Sequence, residues 1–272
     1  GDAGCQEPAG GFRSMMHGYE KELEIAKTAA QEAGNYLIKR EEMHVDAAEG
    51  KDIKLSSDKY SEKIIIDRLK ESGIPILSEE CGRVDGQGDP KGKGTVWIID
   101  PLDGTANYWK GIQELACVSI ALWKDAVPVL GVIYRFFSKE LYYGIVGQGA
   151  FLNGVPIHTS GVSKTEQAIV ATGFPVHRDY GTESLSAFVR QVQSFKKVRM
   201  LGAAAVMGTF VAAGKVDAYM EDEIMLWDVA GAAAIVLAAG GEALVELLED
   251  DKCICKCFAT KALMEDYYAK SL

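Results

Sequence analysis

The stretch Trp97-Ile98-Ile99-Asp100-Pro101-Leu102-Asp103-Gly104-Thr105 constrains this chain more than any other. Residues 95–99 are β-branched and aromatic, the composition of a buried strand. Two carboxylates follow at once. A buried strand thus delivers acids at its carboxyl end, the edge where open α/β sheets bind ligands. Pro101 fixes its own φ and stiffens the turn. Gly104 lets the backbone approach an anion, and Thr105 adds a hydroxyl. A helix starting near Thr105 would turn free N–H groups toward a phosphate. Two carboxylates in one rigid turn repel each other unless a cation joins them, and oxygen ligands of this kind suit a hard ion such as Mg2+. A merely solvated acidic turn, common enough for Asp and Gly, leaves six specified residues behind a buried strand unexplained.

Two further acidic positions draw attention. Glu79 and Glu80 end a short apolar strand over residues 74–77, and Asp228 follows Trp227 at the start of an Ala-rich apolar helix. Taken alone, Asp228 reads equally well as a first-turn charge. Other catalytic motifs are missing. There is no Gly-x-x-x-x-Gly-Lys loop, and the dinucleotide-like start at Gly147 and Gly149 has Leu152 where the last glycine belongs. There is no Gly-x-Ser-x-Gly elbow. The four histidines, His17, His44, His158 and His177, lack metal-ligand spacing. Ser-His and zinc-His chemistry are therefore not expected.

Periodicity predicts helices over 19–42 and 58–72, the second ending at Gly73. A polar loop is expected over 48–57 and a Gly-rich loop over 82–94. Runs 116–123, 127–134 and 140–146 read as an antiparallel meander, and Phe151-Leu152-Asn153-Gly154 as a hairpin turn. From 168 onward strands (168–172, 198–201, 216–220, 242–247, 253–258) alternate with helices (183–195, 203–213, 227–239, 261–269), which suggests an α/β layer. The expected architecture is α+β, with an N-terminal α+β half to about residue 160 and an α/β half after it. Residues 19–272 are expected to form one domain, preceded by an expected flexible tail over 1–18, with Met15 or Met16 expected as the natural start.

Charge and cysteine usage bound the partners. Against 29 basic residues stand 39 acidic ones, a net charge of −10. Such a balance disfavours nucleic acid and membrane surfaces, both polyanions. It leaves room for a small phosphorylated ligand, because bound metal ions reverse the local sign of a site. No apolar run reaches the length that crosses a bilayer, and no signal-peptide core precedes Ala3-Gly4-Cys5. Six cysteines in a chain this long read as reduced thiols and a cytoplasmic location. Cys253, Cys255 and Cys257 alternate as on one face of a strand and lack the usual zinc spacing.

The segment from Trp97 through Thr105 to Ala106-Asn107-Tyr108 resembles the first signature of the inositol monophosphatase family, and Trp227-Asp228-Val229-Ala230-Gly231-Ala232 resembles the second. The resemblance spans nearly all of residues 19–270 and includes Ser78-Glu79-Glu80, Gly149-Ala150-Phe151-Leu152-Asn153-Gly154 and Asp217-Ala218-Tyr219-Met220-Glu221. It implies a layered αβαβα sandwich of the inositol monophosphatase and fructose-1,6-bisphosphatase type. It implies Glu79, Asp100, Asp103, Asp228 and the carbonyl of Leu102 as ligands of two or three Mg2+ ions. By the same resemblance, Thr105 and Asp58 orient the attacking water with Glu79, and Gly104 and Thr105 offer backbone N–H groups to the phosphate. Glu221 with Ala203, Ala204 and Asp228 contacts the substrate, and Glu80 neighbours the metal site. Lithium inhibition and a homodimer are implied as well. One position departs from many members: Arg199-Met200-Leu201-Gly202 is followed by Ala203, where a hydroxyl residue is common.

The expected activity is Mg2+-dependent hydrolysis of inositol monophosphate or a related sugar phosphate by in-line attack of an activated water. The same chemistry on fructose 1,6-bisphosphate, histidinol phosphate or a 3′-phosphonucleotide shares the metal motifs, and the residues around Phe174 to Tyr180, with Ala203 and Glu221, are expected to decide among them. A non-enzymatic regulatory protein on this scaffold is the reading from another class; it predicts a lost ligand, and none of the five acidic and hydroxyl positions is lost.

Overall fold

The computed structural model describes residues 18–39, 45–49, 52–84, 88–176 and 178–271. The expected tail lies outside these residues, apart from its last position. The chain opens with helix α1 (Glu20–Lys39), the hairpin β1 (Val45–Glu49) and β2 (Asp52–Leu55), and helix α2 (Ser56–Leu69). One 3-10 turn ends at Gly73 with φ 69, the left-handed stop expected there. Strands β3 (Ile76–Ser78), β4 (Gly82–Val84) and β5 (Thr95–Asp103) follow, then a short helix α3 (Thr105–Trp109). The meander is β6 (Cys117–Lys124), β7 (Val127–Arg135) and β8 (Glu140–Ile145), continued by the hairpin β9 (Gly149–Leu152) and β10 (Val155–Ile157).

The second half runs β11 (Ile169–Thr172), α4 (Thr182–Gln193), β12 (Lys197–Met200), α5 (Ala204–Ala212), β13 (Ala218–Met225), α6 (Leu226–Ala238), β14 (Glu242–Leu247), β15 (Lys252–Phe258) and α7 (Lys261–Lys270). Two main sheets result, ordered β10-β9-β8-β7-β6-β5-β3-β4 and β12-β11-β13-β15-β14. The first is antiparallel except for β3 beside β5; in the second, β11 runs parallel to both β12 and β13.

Strand alternation sorts the side chains into layers. On one face of the large sheet, Trp97, Ile99, Ile120 and Val132 bury against Ala26, Ala30 and Ala33 of α1 and Ile65 of α2. On its other face, Ile98, Ala121 and Ile133 meet α5 and α6, which in turn meet Tyr219, Cys253, Cys255 and Cys257 of the small sheet. Beyond that sheet, Val170, Met220 and Phe258 pack with Leu263 and Tyr267 of α7. This is the layered αβαβα order. The three strand cysteines do share one buried face.

Small residues let the middle layer close up. A Cβ on Gly208 of α5 would collide with the Cβ of Ala232 on α6. That close approach is why α5 and α6 are rich in alanine and glycine.

Three sequence expectations change. The polar loop over 48–57 holds the β1–β2 hairpin and the start of α2; polar strands lacking alternation carry no periodic signal, yet pairing satisfies their backbone. The loop over 82–94 begins with β4, paired to β3. And β5 does not stop before Pro101. It runs on to Asp103 because the register with β6 shifts between Asp100 and Asp103, a bulge that leaves the proline without a ladder bond to supply. Among the described residues no helix is long and apolar enough to cross a membrane.

Candidate active site

The bulge in β5 is what builds the site. It places Asp100 and Asp103 on the wall of a cavity of about 250 Å³, together with Leu102, Gly104 and Thr105. Glu79 arrives from the end of β3, aligned by its N–H bond to the Ile99 carbonyl at 3.4 Å. Asp228 arrives from the first turn of α6. One ligand atom each from Glu79, Asp100 and Asp228 lies within 4.8 Å of the others. Four acids separated by up to 149 positions thus converge on one cavity.

Each acid is held differently. Asp100 Oδ1 accepts the Leu102 N–H at 3.2 Å. Asp103 Oδ2 accepts the Ala205 N–H at 2.8 Å, with the Cys117 thiol 3.9 Å away. Thr105 Oγ1 donates to the Leu102 carbonyl at 3.1 Å. Gly104 sits at φ 80, and a Cβ there would lie 2.5 Å from the Leu115 carbonyl oxygen. Glycine is therefore required twice over, by dihedral and by space.

The electrostatics follow from crowding acids out of water. Burial pushes the Glu79 carboxyl up to about 7, with Glu80 and Asp103 adding repulsion. Burial likewise pushes Asp103 to about 7, against the N–H donors of Ala205 and Gly104. Asp100 and Asp228 are driven well above the carboxylate range by burial and by each other's neighbours. No lysine, arginine or histidine lines the cavity among the described residues. Such a set of hard, anionic oxygen donors fits a divalent cation, which would supply the positive charge the acids lack.

The remaining expected residues are placed as follows. Ala203, Ala204 and Glu221 line the cavity, and burial pushes Glu221 to about 8. Glu80 is held beside the site by Lys54 at 3.6 Å. Asp58 does not line the cavity. Its Oδ2 accepts the Leu55 N–H at 3.0 Å as a helix cap, its Oδ1 is buried without a hydrogen-bond partner, and burial raises it to about 8. The structure thus does not join Asp58 to Thr105 by a direct hydrogen bond.

Phe174, Pro175 and Val176, from the segment expected to bear on substrate choice, line another side of the cavity, as does Trp227 of the second signature. Sequence reasoning missed Gly173, Met207, Glu223, Ile224 and Met225, which line it too. The β13 residues among them were hidden because that strand was expected to end at 220.

The model of the inositol monophosphatase family matches residues 19–245. The chain belongs to the inositol monophosphatase family. Inositol monophosphatase 3 of Solanum lycopersicum is 34% identical over 268 residues, covering 93% of this chain and 97% of that one. Nus factor SuhB of Escherichia coli (strain K12) is 35% identical over 227 residues, covering 80% and 83%. Among solved structures, the inositol monophosphatase from Anabaena (Nostoc) sp. PCC 7120 superposes with a TM-score of 0.78 at 30% identity, covering 93% of this chain and 96% of that one. SaIMPase-II, solved with inositol monophosphate bound, superposes with a TM-score of 0.75 at 27% identity, covering 93% of each. The family is metal-dependent, and Glu79, Asp100 and Asp228 form an acidic group that could hold a metal ion.

Proposed function

We propose that the protein hydrolyses a small phosphate monoester, inositol monophosphate or a related sugar phosphate, with Mg2+ as cofactor. The convergence of Glu79, Asp100 and Asp228 beside Asp103 and the Gly104–Thr105 turn carries this reading. The names of the tomato relative and of SaIMPase-II's bound ligand support it.

Glu79, Asp100, Asp103, Asp228 and the Leu102 carbonyl would hold two or three ions. Bound Mg2+ would offset the charge of the phosphate dianion and of the departing alkoxide, and lower the pKa of water in the site. The chain's own groups do the positioning. Backbone N–H groups of Gly104 and Thr105 receive the phosphoryl oxygens. Glu79 and the Thr105 hydroxyl orient the attacking water, and Asp58 belongs to the same proton-handling set through its open Oδ1 acceptor. Water oxygen bonds to phosphorus as the ester oxygen leaves, and that oxygen takes its proton from solvent, since among the described residues no lysine, arginine or histidine lines the cavity. Ala203, Ala204 and Glu221 face the alcohol part. Inhibition by Li+, a homodimer and a cytoplasmic location complete the proposal.

Phosphate release from a panel of phosphomonoesters, with Mg2+ and with EDTA, tests it. Turnover with Mg2+ that stops in EDTA is expected; no turnover on any ester would overturn the reading. The relative named Nus factor SuhB favours a binding role on the same scaffold as a second reading. Capture of a partner that is unaffected by removing Mg2+, without any turnover, would support that one instead.

A further inference from the structure

Helix α2 buries a stripe that is polar in its first half and apolar in its second. Ser57, Asp58, Ser61 and Glu62 lie on it, followed by Ile65 and Leu69, the spacing of one helical face. Apolar side chains would fill the whole stripe as Ile65 and Leu69 do, and buried polar groups destabilise a core unless they are hydrogen-bonded. Ser61 and Glu62 direct their hydrogen bonds at the two chain segments that carry Asp100 and Glu79.

Ser61 Oγ donates to the Pro101 carbonyl at 2.7 Å. That carbonyl belongs to the peptide joining Pro101 to Leu102, and the N–H of the same peptide donates to Asp100 Oδ1 at 3.2 Å. A peptide group is rigid and planar. Fixing its oxygen therefore fixes the direction of its N–H, and with it the Asp100 carboxylate. Glu62 acts on the other segment. Its Oε2 accepts the Ser78 hydroxyl and, at 3.1 Å, the Cys81 N–H. Ser78 and Cys81 bracket Glu79 and Glu80, so one carboxylate oxygen holds the turn on both sides of Glu79. The strand ladder adds little there: pairing of β3 with β5 ends at Ser78, and the Glu79 N–H meets the Ile99 carbonyl at 3.4 Å.

We propose that Ser61 and Glu62 are positioning residues of the metal centre, which hold Asp100 and Glu79 at ligand spacing by tying both segments to consecutive residues of one helix. The inference rests on the reading of Glu79, Asp100 and Asp228 as ligands of a divalent cation. Neither Ser61 nor Glu62 lines the cavity, so both act through the acids they hold.

Calorimetric titration of the whole chain with Mg2+ tests this and requires no turnover. Glu62→Leu and Glu62→Gln both remove the charge, but the Gln amide oxygen still accepts from Ser78 and Cys81. The gap between the two variants therefore isolates the hydrogen bonds. Glu62→Gln is expected to bind Mg2+ roughly tenfold more tightly than Glu62→Leu, the scale of an outer partner that orients a metal ligand. Ser61→Ala cuts the other tie and should weaken Mg2+ binding by about tenfold as well. Thr165→Val serves as the control for lost stability alone. It removes a buried hydroxyl that donates to Asp266 of α7 at 3.2 Å, so it should lower the melting midpoint and leave the Mg2+ affinity unchanged.

Equal affinities of Glu62→Leu and Glu62→Gln, an unchanged affinity in Ser61→Ala, or an equal loss in Thr165→Val would overturn the inference while leaving the metal reading intact. Should Glu62→Leu not fold, Ser78→Ala, which removes one hydroxyl of the same tie, replaces it: weakened Mg2+ binding is expected, and wild-type affinity overturns the inference. Wild type that takes up no Mg2+ overturns the metal reading, and the inference with it.

Discussion

Asp103 Oδ2 accepts the Ala205 N–H at 2.8 Å, and this one bond locks the end of β5 to the first turn of α5 across 102 residues. The acid is thus positioned by a backbone donor at a helix start, which also favours its charge. The same bond tells which substitution is clean. Asn at 103 still offers an oxygen to Ala205 but no longer a charge to a cation.

Asp103→Asn should therefore lose Mg2+-dependent phosphate release by roughly 100-fold or more, the scale of removing one preorganised electrostatic group. Its thermal midpoint should stay within about 4 °C of wild type, the shift produced by roughly 1 kcal/mol in a chain of this size. Steady-state kinetics and a melting curve check both; near-normal turnover sinks the assignment of Asp103.

The metal-free protein should lose stability as pH rises. Asp58 and Glu221 are raised to about 8 by burial, from ordinary carboxyl values of 3.8 and 4.5. Between those limits the folded state holds protons that the unfolded state has released, so stability is fully present below the ordinary values and drains away as pH climbs toward 8. The slope is at most about 1.4 kcal/mol per pH unit for each group. Melting in EDTA from pH 5 to pH 8 reads it directly. Added Mg2+ should raise the midpoint more at pH 8 than at pH 6, because burial raises the Glu79 and Asp103 carboxyls to about 7 and protons there compete with the ion. A midpoint in EDTA that climbs toward pH 8 contradicts the account.

Gly104→Ala should damage fold and site together. The new Cβ would sit 2.5 Å from the Leu115 carbonyl oxygen at a φ of 80. Either the turn shifts or Leu115 does, at a cost on the order of 1–3 kcal/mol. Denaturant unfolding measures the loss, and phosphate release should fall with it because the Gly104 and Thr105 N–H groups move. An unaltered midpoint with full turnover would show that the turn tolerates a side chain.

Thiol labelling should follow burial. Cys117, Cys253, Cys255 and Cys257 are buried, and burial beside Glu62 pushes the exposed Cys81 thiol up to about 11. At neutral pH the native protein should react slowly at Cys81 and not at these four, while all six cysteines react in denaturant. Rapid native labelling of the strand cysteines would mean that β15 opens readily.

Legibility of the fold tracked how each element earns its stability. The β5 run and the Ala-rich α6 carry dense apolar signals because both are deeply buried; α6 stands where it is expected, and β5 starts where it is expected and runs on to Asp103. The β1–β2 hairpin and β4 have polar, short strands, and their evidence lies in backbone pairing with partners. The extension of β13 past residue 220 was unreadable for a related reason. Glu221, Asp222 and Glu223 are acidic residues at a bulge between Glu221 and Ile224, and only pairing with β15 on either side of the bulge carries the strand through.

The sequence by itself determined that a buried strand ends in two acids around a proline, that Glu79 and Asp228 stand at element ends, and which family the pattern resembles. Local chemistry sufficed for that, since burial and turn preferences are written in neighbouring residues. Only the tertiary structure decided that Glu79, Asp100 and Asp228 meet within 4.8 Å, that Asp58 keeps a buried Oδ1 without a hydrogen-bond partner, and that Glu223 reaches the cavity beside Glu221. Those outcomes depend on strand register and on the closeness of packed layers, which arise from contacts between residues far apart in the chain.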